Sequence, residues 1–263
     1  MKIAICIKQV PDTSEVRLDP KTNTLIREGI PSIINPDDKA GLEAALRIKD
    51  SDASVTVTAI CMGPPQADAA LREALAMGCD NAILISGREF GGSDTYATAT
   101  IIAAELKRGG YDLIITGRQA IDGDTAQVGP QIAERMGLPQ VSYAEEIQVK
   151  AKTVVVKRQY EDCVHIIEAP LPCLVTVLAE IARPRYMTVR GTVRAYATEI
   201  PVVGFQDLKD HLNPEWIGLN GSPTNVVKSF TKQLKGQGTI LKGLSDDEAV
   251  NAIVRKLDEL TII

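Results

Sequence analysis

The chain has 263 residues, a formal charge of −5 and 44% hydrophobic residues, enough for one large α/β domain and an appendage. Mild acidity and only 4% aromatic residues leave neither the basic face nor the stacking platform of a nucleic-acid binder. No apolar run is long enough to span a bilayer, and Met1-Lys2 leads straight into an apolar stretch without a cleavage site, so a cytoplasmic protein is expected.

Five cysteines, Cys6, Cys61, Cys79, Cys163 and Cys173, are widely spaced and form no Cys-x-x-Cys pair. They read as reduced, mostly buried residues rather than as ligands of zinc or an iron–sulfur cluster. His165 and His211 are the only histidines, too few and too separated for a metal site.

In chain order, residues 2–8 form a near-continuous apolar run, the pattern of a strand covered on both faces. Residues 16–18 and 24–27 flank a turn-rich 19–23 and predict a small hairpin. Asn35-Pro36-Asp37-Asp38 carries a cap residue, a proline suited to the first helical position and first-turn acids. The helix it starts has Leu42, Ala45, Leu46 and Ile48 as its stripe. Residues 55–62 predict a second strand closed by Gly63-Pro64-Pro65, and residues 66–77 a helix stopped by Gly78. A strand at 82–85 follows, then a helix capped by Ser93 or Asp94 and ended by Gly109-Gly110. Strands alternating with helices to residue 140 imply a parallel, doubly wound, Rossmann-like sheet. From residue 146 the alternation at 147–149, 153–156 and 164–167 reads as a small β meander, with one more apolar strand at 174–177. Residues 183–186 open a less regular region, and Ser245 caps a final amphipathic helix with Ala249, Ile253, Leu257 and Leu260 on one face. The expected division is an α/β domain over 1–190 and an extended C-terminal arm over 191–263, too poor in apolar residues to fold alone.

The densest local signal follows the apolar run 111–115: Thr116-Gly117-Arg118-Gln119-Ala120-Ile121-Asp122-Gly123-Asp124-Thr125-Ala126-Gln127-Val128-Gly129-Pro130, and then a helix stopped by Gly137. Strand, small-residue turn and helix start are the geometry that holds a phosphate, because first-turn amides are unpaired and partly positive. Gly117 and Gly123 let backbone approach a ligand. Asp122 and Asp124 would repel a phosphate if they faced it, so they are expected to cap helix amides or accept from ribose hydroxyls, with Arg118 compensating. The stretch is neither a Walker loop nor a Gly-x-Gly-x-x-Gly fingerprint. Ligands of open α/β sheets lie beyond the carboxyl ends of the strands, where strand order reverses. If strands 2–8 and 111–115 are neighbours, the loops 7–13, 35–38 and 116–128 converge there, with Met62 and residues 93–98 on the rim. On the residues alone, Asn35–Asp38 is equally a plain cap, Cys6 and Met62 plain core, and Thr95 and Thr98 surface helix positions.

Residues 117–128, Asn35-Pro36-Asp37-Asp38 and Lys8-Gln9-Val10-Pro11-Asp12-Thr13 resemble the β subunit of electron transfer flavoprotein, and residues 119–130 are similar to its flavin-based electron-bifurcating branch. The resemblance covers nearly the whole chain. It implies an adenine nucleotide in the cleft, with backbone around Cys6 and Met62 at the adenine and the Asp124–Val128 amides on phosphate. Hydroxyls of Thr95, Thr98 and Thr125, with Asp94 beside them, would complete the set. No nucleophile–base pair is evident, so a cofactor carries the chemistry. In bifurcating relatives that cofactor is FAD, reduced by NADH. Its electrons go to ferredoxin or flavodoxin and, through the flavin of an α subunit, to an acyl-CoA dehydrogenase-like or lactate dehydrogenase-like acceptor. In ordinary relatives the cleft holds AMP. Val10, Pro11, Asp12 and Thr13 are expected near the isoalloxazine or nicotinamide, and Ile181 at a partner-docking loop. The family's second signature, near residues 156–176, departs at Cys163 and His165. A nucleotide-binding module resembling universal stress proteins is the reading from another class.

Overall fold

The computed structural model describes residues 1–12, 31–224, 238 and 240–262, and the backbone of 17–18 and 25–26. The chain divides into two units, Met1–Asn225 and Val226–Ile263.

In the first unit the strands are β1 (Lys2–Ile7), β2 (Gln9–Pro11), β3 (Arg17–Leu18), β4 (Leu25–Ile26), β5 (Ser32–Ile34), β6 (Thr56–Met62), β7 (Asn81–Ile85), β8 (Leu113–Gly117), β9 (Gln140–Val149), β10 (Thr153–Gln159), β11 (Val164–Pro170), β12 (Cys173–Val177) and β13 (Val202–Val203). The helices are α1 (Pro36–Ser51), α2 (Asp68–Met77), α3 (Thr95–Gly109), α4 (Val128–Met136), α5 (Val189–Ala197) and α6 (Phe205–Leu208). Nine strands form one sheet in the order β11-β10-β9-β12-β8-β1-β6-β7-β13. From β9 to β13 every neighbouring pair is parallel, while β9-β10 and β10-β11 are antiparallel.

Alternation along β1 explains the layering. Ile3, Ile5 and Ile7 face the layer holding Leu42 and Leu46 of α1 and Leu71 and Leu75 of α2. Ala4 and Cys6 face Ile101 and Leu106 of α3 and Ile132 of α4. A strand with helices on both faces must be apolar throughout, which is why 2–8 reads as a continuous run. β1 is the reversal point: the chain passes from it to β6 and β7 on one side, then returns to β8 on the other.

The meander expected from residue 147 is β9-β10-β11, each antiparallel to the next, and ten-residue β9 joins it to the parallel sheet by pairing with β12 at its other end. Two sequence expectations change. The irregular stretch after residue 186 contains α5, started by the Thr188 hydroxyl accepting from Gly191 N at 2.9 Å. Gly191 lies so close to the Ala76 carbonyl that a Cβ would collide with it, so glycine there lets the helix seat on α2. Because α5 packs there and β13 extends the sheet beside β7, residues 191–225 belong to the first unit and not to an arm. In the second unit, α7 (Asp246–Glu259) begins with a Ser245–Glu248 capping box, and Val250, Ile253 and Val254 are exposed.

Arg185 closes the segment after β12 onto α1. Its guanidinium meets Glu43 at 2.7 Å and Asp50 at 2.6 Å. Burial pushes the Glu43 carboxyl up, but hydrogen bonds from Arg185 and Arg47 outweigh it and hold the group below its ordinary value. The stability this contributes is present above the unfolded carboxylate range and lost as pH falls through the lowered value. Glu43→Gln should destabilise the protein by about 2 kcal/mol at neutral pH. That gap should close on acidification, as read from urea midpoints of both proteins across the pH series.

Candidate functional site

A cleft of about 360 Å³ opens beyond the carboxyl ends of β1 and β8, where ligands of open α/β sheets bind. Cys6, Asp38, Met62, Asp94, Thr95, Thr98 and Thr116 line it, with Gly117, Arg118, Gln119, Ala120, Gly123, Asp124, Thr125, Ala126, Gln127 and Val128 from the long loop. Sequence reasoning missed Ile7, Lys8, Ser93, Ile102 and Gly129 in this lining. Ile7, Lys8 and Ser93 lie inside the converging segments, which was the available signal; Ile102 and Gly129 lie just beyond them.

The remaining expected residues sit behind the wall. Asn35 is fully buried, and its side chain makes no cap bond on α1. It donates to Gln119 O at 2.8 Å and accepts from Ile121 N at 3.0 Å, fixing the loop's first half. Pro36 takes the first turn of α1, and Asp37 meets Arg118 Nε at 3.5 Å. Val10, Pro11 and Asp12 lie outside the lining, in or beside the antiparallel pair β2-β5. Thr13 falls outside the described residues. Ile181 ends a short 3-10 turn, Ala179–Ile181, and is half-buried against the core.

Asp38 is the keystone of this wall. One carboxylate oxygen accepts from Lys8 N at 2.8 Å, the other from Gly117 N at 3.0 Å. A Cβ on Gly117 would overlap that second oxygen, so glycine is required here for the carboxylate to bridge the two strand ends. Burial pushes the Asp38 carboxyl up to about 7, with the amides of Lys8 and Gly117 and the Asn35 side chain pulling the other way.

The other acids answer to internal partners. Asp122 accepts both its contacts from Lys8 Nζ, at 2.7 and 2.8 Å. Asp124 accepts from Gln119 Nε2 at 3.0 Å. Neither caps α4, as had been expected: that helix starts at Gln127 without a side-chain cap bond. Asp94 does cap α3, accepting from Ala97 N at 3.0 Å, while its second oxygen takes Thr224 N at 2.9 Å. The Thr95 hydroxyl donates to Gln127 Oε1 at 2.9 Å.

What remains unpartnered is the backbone. Among the described residues, the amides of Thr125 through Gly129 meet no protein acceptor. Asp124 and Ala126 have positive φ, 48° and 53°, a conformation that costs a non-glycine residue about 1–2 kcal/mol. Ala126 is followed by right-handed Gln127 (φ −105°, ψ −31°), a succession that turns neighbouring N–H groups to one side as an anion cradle. At Gly129 a Cβ would stand 2.6 Å from the Thr116 hydroxyl and 2.7 Å from Thr176 Cγ2, so α4 can press its N-terminus against β8 and β12 only with glycine there.

The family description "Electron transfer flavoprotein domain" matches residues 22–207. The chain belongs to the electron transfer flavoprotein family. It is 51% identical over 264 residues, all of both chains, to the caffeyl-CoA reductase-Etf complex subunit CarD of Acetobacterium woodii. It is 51% identical to an electron transfer flavoprotein subunit beta of Clostridium acetobutylicum, covering 98% of each. It is 48% identical to the acryloyl-CoA reductase electron transfer subunit gamma of Anaerotignum propionicum, again over all of both chains. This is an electron transfer flavoprotein of the β-subunit kind. Cys6, Cys61, Cys79 and Cys173 are buried, and burial raises all four, Cys61 and Cys173 to about 11 and Cys79 to about 12. Among the described residues no helix is long and apolar enough to cross a membrane.

The Asp38 shift fixes a sign. Its folded pKa lies above the unfolded one, so its stabilising contribution is full below 3.8 and fades as pH rises to about 7. Across that window the wild type should lose stability relative to Asp38→Asn, measured by urea unfolding at successive pH values. Parallel curves would show that the carboxyl titrates as it does in the unfolded chain.

Proposed function

We propose that the cleft holds the adenylate half of FAD in a β subunit paired with an electron transfer flavoprotein α subunit. The observation that carries this reading is the row of unpartnered amides from Thr125 to Gly129 at the start of α4. They stand beside acids that already have donors, Asp122, Asp124 and Asp94, while burial raises the Asp38 carboxyl to about 7. Such a site meets a phosphate with hydrogen bonds and a helix dipole, and the acids beside it are turned to donors of their own.

The volume supports the same division of the ligand. About 360 Å³ falls at the small end of ligand clefts, room for an adenylate while a flavin ring lies outside. The apolar end, at Cys6, Met62 and Ile102, suits adenine; the hydroxyls of Thr95, Thr98 and Thr125 and the loop amides suit ribose and phosphate. Asn35 and Asp38 hold the loop in place before the ligand arrives, which lowers the ordering cost of binding.

Held by the loop amides and the threonine hydroxyls, FAD would supply the redox chemistry: acceptance of hydride from NADH and electron transfer to ferredoxin or flavodoxin and, by way of α-subunit FAD, to an acyl-CoA dehydrogenase-like or lactate dehydrogenase-like acceptor. The names of two relatives, electron transfer subunits of caffeyl-CoA and acryloyl-CoA reductases, support an acyl-CoA-type acceptor. Val10, Pro11 and Asp12, on the ribbon beyond the cleft, border the space for the ring. The turn bearing Ile181 is the docking surface for the acceptor, the unit 226–263 packs on the α subunit, and the complex works in the cytoplasm. The small cleft equally fits a second reading, an ordinary carrier in which AMP alone occupies it.

Purification with the α subunit, denaturation and chromatography of the released cofactors tests both. Two FAD per heterodimer supports the first reading and one FAD with one AMP the second; a colourless pair releasing no adenine compound refutes each. Gly129→Val, which must push α4 off β8, should lower nucleotide occupancy about tenfold, matching an overpacking cost of about 1–3 kcal/mol.

A further inference from the structure

Beyond the cleft itself, α1 makes a second set of contacts. Asp37 follows Asn35 and Pro36 in its first turn and lies between the start of the nucleotide loop and the turn Ala179–Ile181, against which α1 packs. The amides of Gln119 and Ala179 both face its carboxylate, and Glu180 adds like charge nearby. Its cation is Arg118, a residue of the cleft lining. That pairing is incomplete: Arg118 Nε and Asp37 Oδ2 stand 3.5 Å apart, and both atoms are buried without a hydrogen-bond partner. Buried polar atoms are rarely left so. An ion pair held short of hydrogen bonding is poised to be exchanged for a better one.

We propose that Arg118 switches between Asp37 and a phosphate in the cleft, and that this exchange links cleft occupancy to the rigidity of the exposed turn Ala179–Ile181. The inference rests on the adenylate reading of the cleft. Without ligand, Arg118 stays beside Asp37 and shares its carboxylate with the Gln119 and Ala179 amides. A phosphate on the α4 amides draws the guanidinium into the cleft. Asp37 then has only those two amides to answer its charge, and the 179–181 turn closes on it. The two states differ in one side chain's partner, which supplies the bistable element that coupling between sites requires. Reciprocity follows: anything that grips the turn in its closed form tightens nucleotide binding by the same factor.

Hydrogen exchange on the αβ heterodimer, stripped of cleft nucleotide and then saturated with AMP at mildly alkaline pH, reads the coupling directly. Bound AMP is quantified by equilibrium dialysis, and exchange is compared at matched occupancy. In the wild type, amides 179–182 should exchange at least about fivefold more slowly with AMP, within the range of typical couplings. In Asp37→Asn that difference should vanish, and in Arg118→Lys, with its shorter reach, it should shrink. Glu43→Gln loosens the far end of the segment, at Arg185, without touching the Arg118 pair, and should keep the AMP-dependent change on an altered baseline. AMP bound with no change at 179–182, or an undiminished change in Asp37→Asn, overturns the switch and leaves the adenylate reading standing. Failure of the wild type to bind AMP removes both.

Discussion

A single buried carboxylate holds the site open. At a reversal point the chains leaving β1 and β8 depart to opposite faces of the sheet, so their ends have no ladder partner between them. Asp38 supplies one, taking the amides of Lys8 and Gly117 on its two oxygens. This fixes the gap between the strand ends, and the gap is the cleft. The arrangement needs α1 seated deep enough for its first turn to reach the sheet edge. Gly41 allows that, since a Cβ there would already stand 3.0 Å from Val177 Cγ2 and 3.2 Å from Ile115 Cγ2.

Three neighbouring residues thus divide the work of one helix end. Asn35 fastens the loop after β8 and Asp38 the strand ends, while Asp37 stands 3.5 Å from the arginine of the lining. The side chains belong to residue types suited to capping, yet none of the three is spent on α1 in the usual way. First-turn carboxylates near a helix N-terminus are favoured by its dipole, which offsets part of the cost of burying them. The same economy governs the phosphate loop. Asp122 and Asp124 brace it through Lys8 and Gln119, so the negative charges that looked hostile to an anion serve as struts.

Much of this was legible in residue order. The apolar runs at 2–8, 55–62 and 111–115 gave the parallel core because strands covered on both faces cannot alternate. Gly78 and Gly137 stop α2 and α4 as expected, with φ of 136° and 64°. The loop 116–128 announced itself by small residues between a strand and a helix. What could not be read was tertiary in origin. Asn35 looked like a cap because its alternative partners lie more than eighty residues away. The seat of α5 was hidden because nothing local to Gly191 shows the Ala76 carbonyl it must clear. The change of partner midway along β9 was equally hidden, since a strand's own sequence does not encode which side it pairs on.

The backbone strain in the loop follows from these constraints. Asn35 pins Gln119 and Ile121, while the Gly129 contact pins α4 against β8. The intervening residues must turn from a strand end into a helix axis between two fixed points, and Asp124 and Ala126 take positive φ to do so. A looser chain could relieve them only by letting its amides find partners in the protein or scatter toward water. Held at both ends, it keeps five consecutive residues with their N–H groups free beside the cleft. The strain is therefore a condition of the site's readiness for an anion, and it is sustained by the buried clasp on α1 rather than by the loop itself.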